Sequence, residues 1–261
     1  MQLTGKPYLS PRSVRVFGHR GSTECGDIEN SYGALKCLSS AGIEFVETDV
    51  RSTIDGEVVL FHDRDLKRIF GTSKRVSSLS LKELRSYFES SGQRVLTIDE
   101  ALREFENLRF NIDAKDIESA RRLAVKIQAA KAKDRVLVTS FSNYRRQIAM
   151  AGLGDVATSA AAKTTVLLML YYSLGLVSRA RKLAKSIDAL QIPKTILIWR
   201  TDNRPFIDFL HSLNLEVHFW TINDPYEAIR LVELGADGIV TDRGKLIKKA
   251  LEDFDHSNSQ L

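Results

Sequence analysis

The chain has 261 residues, 43% of them hydrophobic and 27% charged, with 38 Lys and Arg against 33 Asp and Glu and a net charge of +5. That is enough apolar material for a real core and excludes a disordered chain; the length fits one large α/β barrel or two smaller domains. No run reaches the eighteen or so apolar residues that cross a membrane. The amino-terminal MQLTGKPYLSPRSVRV lacks the apolar centre of a signal peptide, so a cytoplasmic protein is expected. The basic residues are scattered, with short clusters at Arg121-Arg122, Arg145-Arg146 and Lys248-Lys249. They form no aromatic-interleaved stripe of the kind that binds RNA, and no nucleic-acid partner is expected. Cys25 and Cys37, with no CxxC, make neither a zinc site nor a disulfide framework. Cys37 is expected as a buried free thiol and Cys25 in a loop close to the functional site.

From the N-terminus onward, short apolar runs alternate with helical patterns. VRVFGH (14–19), FVETDV (45–50), LRFNIDA (108–114), RVLVTSF (135–141), DVATSA (155–160), ALQIP (189–193), EVHFWT (216–221) and DGIVTD (237–242) predict eight strands. Between them, Glu29–Ala41 carries Leu35, Leu38 and Ala41 on one helical face. Ser80-Leu-Lys-Glu83 and Thr97-Ile-Asp-Glu100 are capping boxes. Residues 116–133 repeat apolar side chains at Ile117, Ala120, Leu123, Ala124 and Ile127. Asp224-Pro225 is an N-cap followed by proline at the first helical position, and Gly235 closes that helix. Strands alternating with helices, with no linker rich in Pro, Gly or Ser, predict one α/β domain over residues 1–261, a (β/α)8 TIM barrel.

A ninth run, EVVLFHD (57–63), exceeds that count. It follows FVETDV through Asp55-Gly56, a strong hairpin signal, and is expected to fold back over strand two as a β-hairpin. With Asp55 and Gly56 as the central residues of a type I′ turn, Asp49 falls opposite His62. Residues i and i+2 share a face of a strand, so Glu47 and Asp49 project together.

Barrels of this kind carry their active sites at the C-terminal ends of the strands. There the sequence has Gly18-His19-Arg20-Gly21, Glu47 with Asp49, Asn111-Ile-Asp113-Ala-Lys115, Ser140-Phe141, Trp220-Thr221 and Thr241-Asp242. Glu47, Asp49 and Asp113 converge from adjacent strands and would repel one another unless neutralised. An all-oxygen set suits a hard divalent ion, Mg²⁺ or Ca²⁺; the alternative is a salt-bridge network with Arg20 and Lys115. His19 and His62 flank the same mouth and suit a base and an acid for transfer at phosphorus. Arg20 offers a fork that matches phosphate oxygens and Lys115 a point charge. Trp220 either walls a substrate's alcohol or packs the top of the barrel. His211, His218 and His256 read as structural or exposed, His218 being the one that shares a face with Trp220.

These residues together resemble the glycerophosphodiester phosphodiesterase family. GHRG (18–21), ENS (29–31), ETDVRSTIDGEVVLFHD (47–63), FNIDAK (110–115), SF (140–141), FWTIND (219–224) and ADGIVTD (236–242) follow its pattern in order over nearly the whole chain. The resemblance implies a metal-dependent hydrolase that converts glycerophosphodiesters to glycerol 3-phosphate and an alcohol. It implies metal ligation by Glu47, Asp49 and Asp113, acid–base work by His19 and His62, and phosphate contacts from Arg20 and Lys115. Glu29 and Asn30 would be supporting residues. Two positions depart from the family: Ile28 stands where Pro is usual, which would loosen that turn, and Asp113 stands where Glu is usual. The segment 64–107 is short, so a large substrate-binding insertion is not expected.

TTVLLMLYYSLGLV (164–177) is apolar for fourteen residues, too short to span a bilayer. It reads as a buried barrel helix or as a lipid-facing lid that makes transient contact with a membrane surface. The lid would favour lysolipid substrates, a lysophospholipase D-type activity. Rivals of another class are a non-catalytic phosphate- or lipid-binding barrel, which would not need two histidines, and a nucleic-acid phosphodiesterase, which would need a basic groove.

Overall fold

The computed structural model describes residues 5–11 and 13–258; part of the amino-terminal stretch behind the leader expectation lies outside them. Eleven strands occur among the described residues: β1 (Arg15–His19), β2 (Phe45–Ser52), β3 (Val58–Leu60), β4 (Arg109–Ala114), β5 (Val136–Thr139), β6 (Ala157–Thr158), β7 (Ala189–Ile192), β8 (Thr195–Ile196), β9 (Trp199–Arg200), β10 (Glu216–Phe219) and β11 (Gly238–Thr241). Eight of them pair side by side, all parallel, in the order β6-β5-β4-β2-β1-β11-β10-β7. β6 and β7 meet through the single bridge Ser159–Ala189, so the barrel is nearly closed. This is the predicted TIM barrel, with helices between the strands.

Strands covered on both faces read as continuous apolar runs, which is why the eight stood out in the sequence. On the outer face Val46, Val50, Ile112 and Val138 pack against Leu35, Leu38, Leu123 and Ile127 of the surrounding helices. On the inner face Phe17, Phe45, Leu137 and Val240 fill the barrel, and Tyr8 of the amino-terminal segment joins them from below. Arg15 pairs with Glu216 at 2.8 Å inside the barrel, and Arg109 donates to the carbonyls of Tyr8 and Ser10.

The capping boxes at Ser80 and Thr97 are both formed, and Asp224 caps Pro225–Glu233. The first long helix runs Tyr32–Ser40 with Ser31 as its cap, starting later than the sequence predicts. Asn30 holds φ 59 and donates its N–H to the Arg20 carbonyl, so Glu29 and Asn30 belong to a turn. That turn is closed by the Ser31 N–H on the Ile28 carbonyl, and Ile28 packs against the Phe61–Phe88 cluster.

The hairpin expected after strand two is present, but its register differs. Val50 pairs with Leu60 and Ser52 with Val58, which puts Phe61 rather than His62 next beyond Leu60, across from Asp49. Asp55 does not take the left-handed conformation a type I′ turn requires. Its carboxylate accepts from Thr53 Oγ1 at 2.5 Å and from the Leu81 N–H at 3.1 Å, and only Gly56 has positive φ, at 83. The result is a three-residue turn ending in a left-handed glycine. His62 reaches the barrel mouth where the chain leaves the ladder after Phe61, whose N–H still donates to the Asp49 carbonyl at 2.9 Å; the Arg51 guanidinium holds the His62 carbonyl at 2.8 Å.

Two further expectations are corrected. Cys25 and Cys37 are disulfide-bonded across twelve residues, not free, and Cys25 lines the groove beside helix Tyr32–Ser40 and not the cavity at the barrel mouth. Such bonds are rare in a reducing cytosol, which bears on the cytoplasmic expectation. Among the described residues no helix is long and apolar enough to cross a membrane. Residues 164–177 form most of a helix, Ala162–Ser173, and the start of a second, Val177–Ala184, with Gly175 at φ 66 between them. The antiparallel hairpin β8–β9 has no counterpart in the sequence reading. Its pairs are Thr195–Arg200 and Ile196–Trp199, and Leu197 turns it at φ 56, where Gly or Asn is usual.

Candidate active site

Register and alternation bring the polar residues together. His19 on β1 is level with Glu47 on β2, and Glu47 with Asn111 on β4; one row higher, Asp49 is level with Asp113. The motif glycine before His19 is forced: a Cβ at Gly18 would lie 2.2 Å from Leu38 Cδ1 and 2.6 Å from the Gly21 carbonyl. A cavity of about 330 Å³ opens at this end of the barrel. His19, Arg20, Glu47, Asp49, His62, Asp113, Lys115 and Trp220, all eight of the predicted site residues, line it. Asn111 lines it too, and Phe141, Val166, Ile192, Ile196 and Trp220 give it an apolar wall. A larger groove of about 760 Å³ lies beside the disulfide, between helix Tyr32–Ser40 and the C-terminal helix, and none of the predicted site residues borders it.

Each histidine is backed by a carboxylate. His19 Nδ1 lies 2.7 Å from Asp242 Oδ1, and His62 Nδ1 lies 2.7 Å from Asp63 Oδ1. An ionised carboxylate only accepts, so each ring donates through Nδ1 and leaves Nε2 outside that bond. Asp242 is itself fixed by Asn223 Nδ2 at 2.7 Å, and Asp63 by Arg68 Nε at 2.6 Å. Burial alone would lower the His19 pKa; the Asp242 hydrogen bond and the Glu47 charge outweigh it and raise it. His218 stays out of the site: it is fully buried, with Nε2 3.1 Å from Glu216 and its ring against Phe17.

The acidic cluster is partly neutralised by cations. Lys115 Nζ lies 2.7 Å from both Asp49 Oδ1 and Asp113 Oδ2, and Arg20 Nε is 3.3 Å from Asp49 Oδ2. Burial would raise the Asp49 pKa, but Lys115, His62 and Arg20 hold it below its ordinary value. Burial raises Asp113, and burial with the neighbouring Asp49 pushes Glu47 up to about 8. The ion pairs of Lys115 and Arg20 with these acids are present, and among the described residues no three His, Cys, Asp or Glu side chains form a ready metal cage. Acceptors are nevertheless left over. Glu47 Oε2, Asp113 Oδ1 and Asn111 Oδ1 are buried without a hydrogen-bond partner. Such atoms cost about 1–3 kcal/mol each when left unsatisfied, and oxygens of this kind fit a hard cation.

Arg20 also donates to Glu29 Oε1 at 2.9 Å, and Arg68 clamps both Glu29 oxygens. Asn30 Nδ2 lies 3.3 Å from Asp49 Oδ2. Asp63, Asp242 and Asn111 carry no role in the sequence reading although all three stand in its motifs. Asp63 is signalled by the His-Asp dipeptide; nothing local joins Asp242 to His19.

A nearly closed parallel barrel, with carboxylate-backed imidazoles, buried acids and two cations around one polar-and-apolar cavity, is the frame of a barrel phosphoester hydrolase. The model of the glycerophosphoryl diester phosphodiesterase family matches residues 19–246. The chain belongs to that family, and it is an enzyme, a glycerophosphodiester phosphodiesterase. It is 32% identical to a Mycobacterium tuberculosis protein named probable glycerophosphodiester phosphodiesterase 2, over 90% of each chain. The Mus musculus lysophospholipase D GDPD1 is 26% identical over 92% of this chain and 87% of its own. Among solved structures, the glycerophosphodiester phosphodiesterase of Thermotoga maritima has a TM-score of 0.72 at 25% identity, covering 91% of this chain and 98% of that one. An Oleispira antarctica phosphodiesterase, solved with the product sn-glycerol-3-phosphate, has a TM-score of 0.74 at 22% identity over 91% and 96% of the two chains.

Proposed function

We propose that residues 1–261 act as one domain that hydrolyses glycerophosphodiesters to glycerol 3-phosphate and an alcohol, with His19 and His62 as the acid–base pair. One imidazole takes the proton of the attacking hydroxyl and the other protonates the alcohol as its bond to phosphorus breaks. The attacker is water, or the substrate's own 2-hydroxyl followed by hydrolysis of the cyclic phosphate. Arg20 and Lys115 supply positive charge to the phosphate oxygens, and Trp220 with the apolar wall borders the departing alcohol. The observation that carries this reading is the pair of carboxylate-backed histidines on the same cavity as Glu47, Asp49 and Asp113.

Glu47, Asp49 and Asp113 would hold the divalent ion, Mg²⁺ or Ca²⁺, which when bound supplies Lewis-acid polarisation of a phosphoryl oxygen. The leftover buried oxygens of Glu47 and Asp113 support their part in that set, while both Asp49 oxygens are taken by Lys115, Arg20 and Asn30. Binding to the native state alone raises the melting temperature, so Mg²⁺ or Ca²⁺ should stabilise the wild type and not Glu47→Gln or Asp113→Asn. A turnover assay over glycerophosphodiesters and lysolipids, with and without EDTA, tests the activity. His19→Ala and His62→Ala should each lose about 10²–10⁴-fold in kcat with unchanged melting curves. Wild-type turnover in either variant overturns the assignment.

A lysolipid substrate is the second reading. It is favoured by the apolar wall of Phe141, Val166 and Ile196 beside the polar one, which would take an acyl chain. A cytoplasmic place of action favours Cys25 and Cys37 as thiols in the cell, which alkylation trapping reads directly.

A further inference from the structure

The mouth of the cavity is bordered by apolar side chains that the phosphate chemistry does not use. Hairpin β8–β9 follows β7 at the top of the barrel, and its tip holds Leu197 and Ile198 at 90% and 88% exposure. Helix Ala162–Ser173 is apolar on both sides. It buries Leu168 and Met169 inward and leaves Val166, Leu170 and, just past its end, Leu174 exposed at four-residue spacing, one stripe along its outer side. Val166 and Ile196, one from each protrusion, also line the cavity, so the two protrusions flank one opening. Phe141 adds a ring, 58% exposed, at the same rim.

Single exposed apolar residues are ordinary; a set bordering one opening marks a docking surface. Cations stand at its base. Lys163 is exposed, and Lys194 and Arg200 keep 46% and 71% of their side chains exposed while pairing with Glu227 and Asp202.

We propose that this rim docks on a lipid bilayer bearing anionic headgroups, with Leu197 and Ile198 seated at the boundary between headgroups and acyl chains. Two apolar protrusions with cations at their base suit a deformable anionic interface: apolar area enters the boundary and the cations stay level with the headgroup phosphates. The docked opening faces the layer from which an amphiphilic phosphodiester would enter. That last point rests on the proposed function; the docking does not.

The test is flotation of the full chain with vesicles of phosphatidylcholine and phosphatidylglycerol, read without turnover. Wild type should float at low salt and less as salt rises. Leu197→Ser/Ile198→Ser, which alters exposed positions outside the cavity lining, should bind at least tenfold more weakly while cleaving soluble glycerophosphocholine at the wild-type rate. Failure of the wild type to float at low salt, or equal binding by the double variant, overturns the proposal. So does a concentration-dependent dimer in sedimentation velocity that the double variant abolishes, since a second copy would then be the occupant. Vesicle binding without turnover of any diester would retain the docking and reject the proposed reaction.

Discussion

Asp63 and Asp242 serve their histidines in the same way from opposite ends of the chain. Each carboxylate fixes a ring and the tautomer that leaves Nε2 available. An amide in its place can accept at Nδ1 or donate there, but cannot stabilise the imidazolium that the proposed transfer would form. Asp63→Asn and Asp242→Asn should therefore lower kcat by roughly 10²-fold or more with KM little changed, a split that a purely structural role would not produce; steady-state kinetics at fixed pH reads it. The histidines, the acids and the two cations were legible because each sits at a strand end in a motif. Asn111 was visible but silent, since an amide's part depends on which oxygens surround it. Asp242 was out of reach because its tie to His19 spans 223 positions.

Elements were legible where a period repeats and obscure where two residues decide. The eight barrel strands and the capped helices announced themselves through runs and caps. Hairpin β2–β3 was found, yet its register slipped by one because Asp55 uses its carboxylate on Thr53 and Leu81 instead of adopting positive φ. Gly56 alone carries the turn, and a Cβ there would meet the Arg122 guanidinium at 2.9 Å. Gly56→Ala should destabilise the chain by about 1–2 kcal/mol, seen as a lower denaturant midpoint with unchanged slope. Hairpin β8–β9 escaped because its strands are two residues each and Leu197 stands where a turn residue would have flagged it. The link between β10 and the helix before it carries an acid-sensitive tie. Asp237 accepts from His211 Nε2 at 2.8 Å and from the Val217 N–H at 2.9 Å. Burial would raise its pKa, but these bonds and the nearby His211 and His218 outweigh it and hold it below the ordinary carboxylate value. A depressed carboxylate contributes stability that is complete above its unfolded value and is lost as pH falls through its folded value. Asp237→Asn should therefore flatten the acid side of the stability–pH curve below about pH 4, measured by urea melts across pH.

At the scale of the whole molecule, one sheet winds through the chain from β1 to β11, and one unfolding transition is expected from calorimetry if residues 1–261 are a single cooperative unit. The Cys25–Cys37 bond ties the loop after β1 to the first long helix. Closing a loop of that length restrains the unfolded chain by about 3 kcal/mol. The double variant Cys25→Ser/Cys37→Ser should lose up to that amount in denaturant melts, and a reductant should lower the wild type to the same level. The pairing was not legible: a spacing of twelve residues between a loop and a helix says nothing about whether two sulfurs meet.

The barrel's incomplete joint lies between β6 and β7, where Ser159–Ala189 is the only bridge among the described residues. Helix Ala162–Ser173 leaves one lip of that joint and hairpin β8–β9 the other. The weakest seam in the wall is thus also the point from which both apolar protrusions spring. Amides at Ala160 and Asp188, which bond across it, should exchange with deuterium sooner than those of β1 and β2, and any load on the rim would be felt first as a parting of these two staves.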